Sequence, residues 1–202
     1  MAAPPAPWSL SGECLVTLVR RPDRAGAAGP ARVRLLPGWV VIVAASYDAS
    51  PVGGYRELAV GQPARFGRHV GLCVTTMVVD SPESRRGGRD NWGFPKELGA
   101  LTWHGEGGER SLRWEERGLV VRGRPTGPAV PVMVPVRAVQ ELGDTPVVVP
   151  GRLRAAARPA RVTLEAPADD ALGPLAGARP GCFLSGLRLV VAPPRPTCSA
   201  GG

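Results

Sequence analysis

The sequence predicts a mostly-β (α+β) fold, an antiparallel β-sandwich or closed β-barrel carrying a few short helices. Three observations predict it. Short runs rich in Val, Thr and Ile recur along the whole 202-residue chain. Turn residues separate those runs at spacings of roughly ten residues, the rhythm of sandwiches and barrels. Finally, 23 prolines and 27 glycines leave few uninterrupted helical windows, since a helix interior loses about 1 kcal/mol to Gly and about 3 to Pro.

The strands follow in chain order. Residues 13–20 (ECLVTLVR) form a β-branched, partly alternating run, and residues 39–45 (WVVIVAA) a continuous apolar run short enough for a buried strand. Residues 69–80 (HVGLCVTTMVVD) are longer and again rich in Val and Thr. Residues 111–116 and 119–122 flank Arg117-Gly118 as a hairpin. Further strands fit residues 129–136, 147–149, parts of 152–165, and 182–191. Helical turns fit only residues 81–89, 135–141 and 169–175. Residues 1–9 and 193–202, rich in Pro, Ala, Gly and Ser, read as loose tails around one domain spanning 10–192. No internal repeat is evident.

Composition narrows the function. At 44% hydrophobic residues the chain can bury a full core. No apolar run approaches the eighteen residues of a membrane span, and the opening MAAPPAPWSLSGE lacks the pattern of a signal peptide. A cytoplasmic protein without membrane contact is expected. Cys14, Cys73, Cys182 and Cys198 are scattered without metal-site spacing, so reduced thiols and no metal are expected. The formal charge is +8, but the arginines are spread from Arg20 to Arg195 and no stretch interleaves them with aromatics as single-strand binders do, which argues against nucleic acid. His69 and His104 stand near no nucleophile motif.

One basic residue is singular. Among 25 Lys and Arg side chains only Lys96 is a lysine. Arginine stays protonated at any working pH, whereas a lysine amine can lose its proton in an apolar site and attack a carbonyl. The alternative is a surface lysine with no role. The surrounding segment, RDNWGFPKELG, places a Trp, a Phe and a Pro just before it. Pro95 fixes its own φ and biases Phe94 toward an extended conformation, so Lys96 leaves a stiff segment.

GFPKELG resembles the lysine motif of the acetoacetate decarboxylase superfamily, an aromatic-Pro-Lys-Lys followed by a small or apolar residue. Tyr55-Arg56-Glu57-Leu58 is similar to that family's Tyr-x-Glu segment, and the hairpin at Arg117-Gly118 and the stretch APADDALGPLAGARPGCFLSGLRLVV are similar to its last strands. The resemblance covers roughly residues 10–195. It implies a closed barrel whose interior is the active site, a Schiff base at Lys96 with a keto acid or related small-molecule carbonyl substrate, and Glu57 as the carboxylate across the barrel. It implies no cofactor and a homo-oligomer. Tyr55, Arg56, Arg89, Trp92 and Phe94 are the accompanying candidates for substrate contact.

The sequence departs from that pattern at three places. Glu97 stands where the family has a second lysine, and would face away from Lys96 if the segment is extended. No carboxylate matches within Val40 to Val43, and residues 8–14 hold no arginine. Arg89 or Arg56 is the candidate substitute. Two other readings follow from these gaps: a cyclase or isomerase of secondary metabolism that uses the barrel as an apolar pocket, and a non-catalytic small-molecule-binding protein.

Overall fold

The computed structural model describes residues 3–21, 29–106 and 108–197. Cys198 and the rest of the C-terminal stretch lie outside them, as do the first two residues. The described residues form thirteen strands: β1 (Trp8–Arg21), β2 (Arg34–Leu35), β3 (Gly38–Ala49), β4 (Tyr55–Phe66), β5 (His69–Val79), β6 (Lys96–Leu98), β7 (Leu101–Glu106), β8 (Glu109–Trp114), β9 (Leu119–Pro125), β10 (Val130–Leu142), β11 (Thr145–Glu165), β12 (Gly177–Val191) and β13 (Arg195–Pro196). One α-helix, α1 (Pro82–Trp92), interrupts them between β5 and β6. No helix among the described residues is long and apolar enough to cross a membrane.

Pairing runs β10-β5-β4-β3-β1-β12-β11, and β10 also pairs with β11, so the path closes on itself. The long β11 makes this closure possible. Its first half pairs with β10, while residues 160–165 pair instead with β9. From there β9, β8 and β7 continue as an antiparallel flap. The flap folds over the outer face of the barrel, where Leu112, Val121 and Leu164 meet Leu15, Ile42 and Leu58 in one buried cluster.

This layering explains the continuous apolar run at residues 39–45. Side chains alternate across a strand, so Val40, Ile42 and Ala44 enter the cluster under the flap while Val41 and Val43 line the barrel interior. A strand buried on both faces has no polar side to show.

Two expectations are corrected. Residues 135–141 belong to β10, not to a helical turn, because β10 pairs with β11 in unbroken register from Val130 to Leu142. Its other edge meets β5 only at Ala138, and that free edge tolerates Pro131 and Pro135, which have no N–H to donate. The barrel is also not wholly antiparallel, since β5 runs parallel to both β10 and β6. The helical turn expected within residues 169–175 is a 3-10 turn, Gly173–Leu175.

The segments read as tails are partly built in. β1 starts at Trp8, whose ring is fully buried, and the Pro4 carbonyl accepts bonds from Trp8 Nε1 and Asn91 Nδ2. At the other end β13 pairs with β11, and Thr197 Oγ1 donates to the Pro146 carbonyl.

Candidate active site

Lys96 reaches the barrel interior through a short parallel crossover. β5 ends at Val79, the Asp80 carboxylate accepts the Arg56 backbone N–H at 2.7 Å, and Ser81 Oγ caps α1 by accepting the Ser84 N–H at 3.1 Å. Pro82 occupies the first turn, where its missing donor costs nothing. Gly93, at φ +69°, ends the helix. Its N–H donates to the Arg89 carbonyl, the bond of an αL ending, and the N–H of Phe94 donates to the Gly88 carbonyl. The Lys96 N–H then donates to the Phe94 carbonyl at 2.8 Å, closing a three-residue turn around Pro95. β6 follows, with Lys96 beside Met77 of β5.

Two adjacent glycines of α1 make room for two different side chains. A Cβ on Gly87 would stand 2.4 Å from the Trp8 ring, and one on Gly88 would stand 2.5 Å from Lys96 Cδ. The helix therefore lies directly on the aliphatic stem of the lysine. Arg89 Nε donates to the Lys96 carbonyl at 2.8 Å and holds the strand from the other side.

Lys96 is 3% exposed and Glu57 is 7% exposed. Lys96 Nζ donates to Glu57 Oε2 at 2.8 Å and to Ser84 Oγ at 2.9 Å, and it stands 5.0 Å from the centre of the Tyr55 ring. Tyr47 OH donates to the other carboxylate oxygen, Oε1, at 3.4 Å. Both phenols are held well above their ordinary pKa, by burial first and the Glu57 charge next. They remain protonated donors at neutral pH.

Of the residues singled out from sequence, Lys96, Glu57, Tyr55, Trp92 and Phe94 converge on one cavity of about 100 Å³. Trp92 packs edge-on against Trp8 at 5.2 Å and donates its Nε1–H to the Ala192 carbonyl. Arg56 and Arg89 line neither this cavity nor the larger one beside it. Glu97 is exposed on the face of β6 opposite Lys96. Sequence reading missed Tyr47 and Ser84. Strand parity could have found Tyr47, which shares a face with Val41 and Val43 and pairs with Tyr55. Ser84 needed the helix docked, because nothing in SPES marks it as facing an amine.

The small cavity shares Tyr47, Glu57, Met77, Phe94, Leu189 and Val191 with a larger one of about 500 Å³ that fills the barrel. The larger cavity is walled mostly by Val, Leu and Ala, with Arg137 the one cationic lining residue among those described. Where an N-terminal arginine is absent, Leu10 and Cys14 line the walls, and where a second carboxylate is absent, Val41 and Val43 do. Among the described residues no three His, Cys, Asp or Glu side chains gather as a metal site.

The thiols yield a pH prediction. Burial, then the charges of Cys182, Glu13 and Glu57, pushes Cys14 far up, while burial and then Glu141 pushes Cys73 up to about 12, from an ordinary 9.0. Folding favours their neutral forms, so this stabilisation is complete below the unfolded value and is lost as pH rises past it. The melting temperature is expected to fall from about pH 9 upward, and to fall less in Cys14→Ala/Cys73→Ala. A wild-type midpoint that stays level to about pH 11 would contradict the assignment.

Fold and site together define a mostly-β barrel that holds a buried amine against a carboxylate at one end of an apolar cavity. The acetoacetate decarboxylase (ADC) family model matches residues 2–124, and the chain belongs to that family. Among solved structures, acetoacetate decarboxylase from Legionella pneumophila subsp. pneumophila str. Philadelphia 1 is similar with a TM-score of 0.74 at 18% identity, over 99% of this chain and 90% of that one. The enduracididine biosynthesis enzyme MppR complexed with pyruvate gives 0.72 at 17%, over 96% and 91%. An acetoacetate decarboxylase-like enzyme from Sphingomonas wittichii RW1 gives 0.70 at 17%, over 96% and 94%. At these identities the likeness is one of fold. No curated protein matches by sequence.

Proposed function

We propose that the protein is a lyase that binds a carbonyl compound as an iminium on Lys96. The observation that carries this reading is the burial of the chain's single lysine amine 2.8 Å from a carboxylate, at the end of an apolar cavity. Glu57 Oε2 can take the proton that the amine must lose, and the freed Nζ lone pair then forms a bond to the carbonyl carbon. The carbonyl oxygen, protonated in turn, leaves as water. The iminium draws the electron pair of an adjacent bond toward nitrogen, so that carbon dioxide, a proton or an aldehyde fragment departs and an enamine remains. Protonation at carbon and hydrolysis by water release the product and restore the amine. Tyr47 and Tyr55 supply hydrogen-bond donors beside the developing charge, and the step calls on no cofactor.

A second reading rests on the walls of the larger cavity. Their near-total lack of polar groups suits a cyclase or isomerase that shapes an apolar intermediate without covalent attachment.

Borohydride trapping separates the two. With ketones and keto acids, intact mass is expected to show one added substrate minus oxygen in the wild type and none in Lys96→Arg. Absence of an adduct with every carbonyl compound tried would sink the iminium reading, and turnover that survives in Lys96→Arg would favour the second.

A further inference from the structure

We infer that the substrate carries a long hydrocarbon body and no carboxylate beside its reacting carbonyl. The inference rests on the proposal that this carbonyl engages Lys96, and it goes further by assigning the rest of the molecule to the larger cavity.

The argument begins with size and continuity. The cavity holding the amine has only about 100 Å³, but it opens through six shared residues onto about 500 Å³. Together they fall in the range of pockets that enclose whole drug-sized ligands. A four-carbon keto acid would leave most of that space to water, against walls that offer water almost nothing to bond. Val16 and Val43, Val74 and Met77, Leu184 and Leu187 face the space from four strands. The two thiols on the wall, Cys14 and Cys182, are held neutral by burial, so they act as small apolar groups.

Charge then excludes a carboxylate near the amine. Lys96 is the one cation lining the small cavity among the described residues, and its ammonium is already matched by Glu57. A second carboxylate there would meet Glu57 without a counterion, a costly arrangement in a dry site. Arg56, the candidate to receive it, lines neither cavity, and Arg89 is occupied with the Lys96 carbonyl. Arg137 lines only the larger cavity, from an exposed position on β10. The chemistry that fits is a medium-chain alkyl or arylalkyl ketone or aldehyde.

Two measurements on the full chain test this. Binding of 2-alkanones from four to about twelve carbons, read by calorimetry, is expected to tighten roughly two- to four-fold per methylene until the cavity is full. Matched 2-oxo acids are expected to bind no tighter than the ketones. In Ala157→Phe, which puts a ring into the larger cavity, the long-to-short affinity ratio is expected to collapse. A flat chain-length series, or a gain of ten-fold or more from the carboxylate, overturns the inference. Borohydride trapping of the same compounds keeps the two proposals apart. Adducts on Lys96 with a flat series leave the iminium reading standing and remove this one. A rising series without adducts upholds the hydrocarbon-bodied ligand and removes the iminium.

Discussion

Glu57→Gln is expected to destabilise the fold by about 3 kcal/mol, and the double variant Glu57→Gln/Lys96→Met to recover most of that loss. The reason lies in where the pair sits. Both side chains are within a tenth of complete burial, so removing one charge strands the other without water or a counterion. Removing both leaves a thioether against Tyr55 and Met77 and an amide that can still accept from Tyr47, an arrangement with no buried charge to solvate. For a chain of this length the single variant should lower the melting temperature by roughly 6–12 °C. Urea and thermal melts of the wild type, the two single variants and the double variant make a complete cycle. A Glu57→Gln variant as stable as the wild type, or a double variant no better than the single, would mean that the pair is not the closed ionic contact the distances describe. All three variants should lose borohydride trapping or slow it sharply, so chemistry and stability separate cleanly in the double.

Gly88→Ala is expected to slow iminium formation by roughly ten- to a hundred-fold while leaving the protein as stable or slightly more so. Alanine is favoured over glycine inside a helix by about 1 kcal/mol, which offsets the local crowding. The new methyl, however, would stand 2.5 Å from Lys96 Cδ and 2.6 Å from Cε. The flexible stem must yield, and the amine leaves the place set by Glu57 and Ser84. Displacing a reacting group by about 1 Å is enough for a hundred-fold loss. Gly87→Ala is the contrasting control, because its methyl would strike the rigid Trp8 ring at 2.4 Å. That variant should lose stability instead. Trapping rates and melting temperatures of the two neighbours should therefore move in opposite senses, and equal trapping in Gly88→Ala and wild type would refute the contact.

Much of this molecule was legible before folding. The strand rhythm, the hairpin at Arg117-Gly118 and the helical turn after Ser81 are local signals, set by β-branched runs, a left-handed Gly118 at φ +58° and a serine cap. Lys96 was legible from composition and from the resemblance of its motif to the family's, and Glu57 from the Tyr-x-Glu match. The rest depended on pairing. β4 is absent from the strands read locally, yet it pairs with β3 over residues 55–61 and with β5 over residues 57–66. The first half of β10 was legible as a strand, but residues 135–141 read as a helical turn because their partner in β11 lies beyond the next turn. Arg56 and Arg89 looked suited to bind a carboxylate until parity and the docking of α1 turned them away from the cavity. Ser84 carries no local mark at all.

β1 lies between β3 and β12, and this order has a bearing on how the chain reaches its native state on the ribosome. The parts that hold the amine, from Tyr55 on β4 to Lys96 on β6, are contiguous in sequence and can associate as soon as they emerge. The walls of the larger cavity cannot, since β10, β11 and β12 come afterwards and β1 must keep one edge open for β12 until nearly the whole chain has been synthesised. Pairings this distant in sequence are slow to form. A nascent chain would thus present its reactive end and a row of unsatisfied strand edges well before the apolar container exists, a stage at which a holdase chaperone would have most to protect.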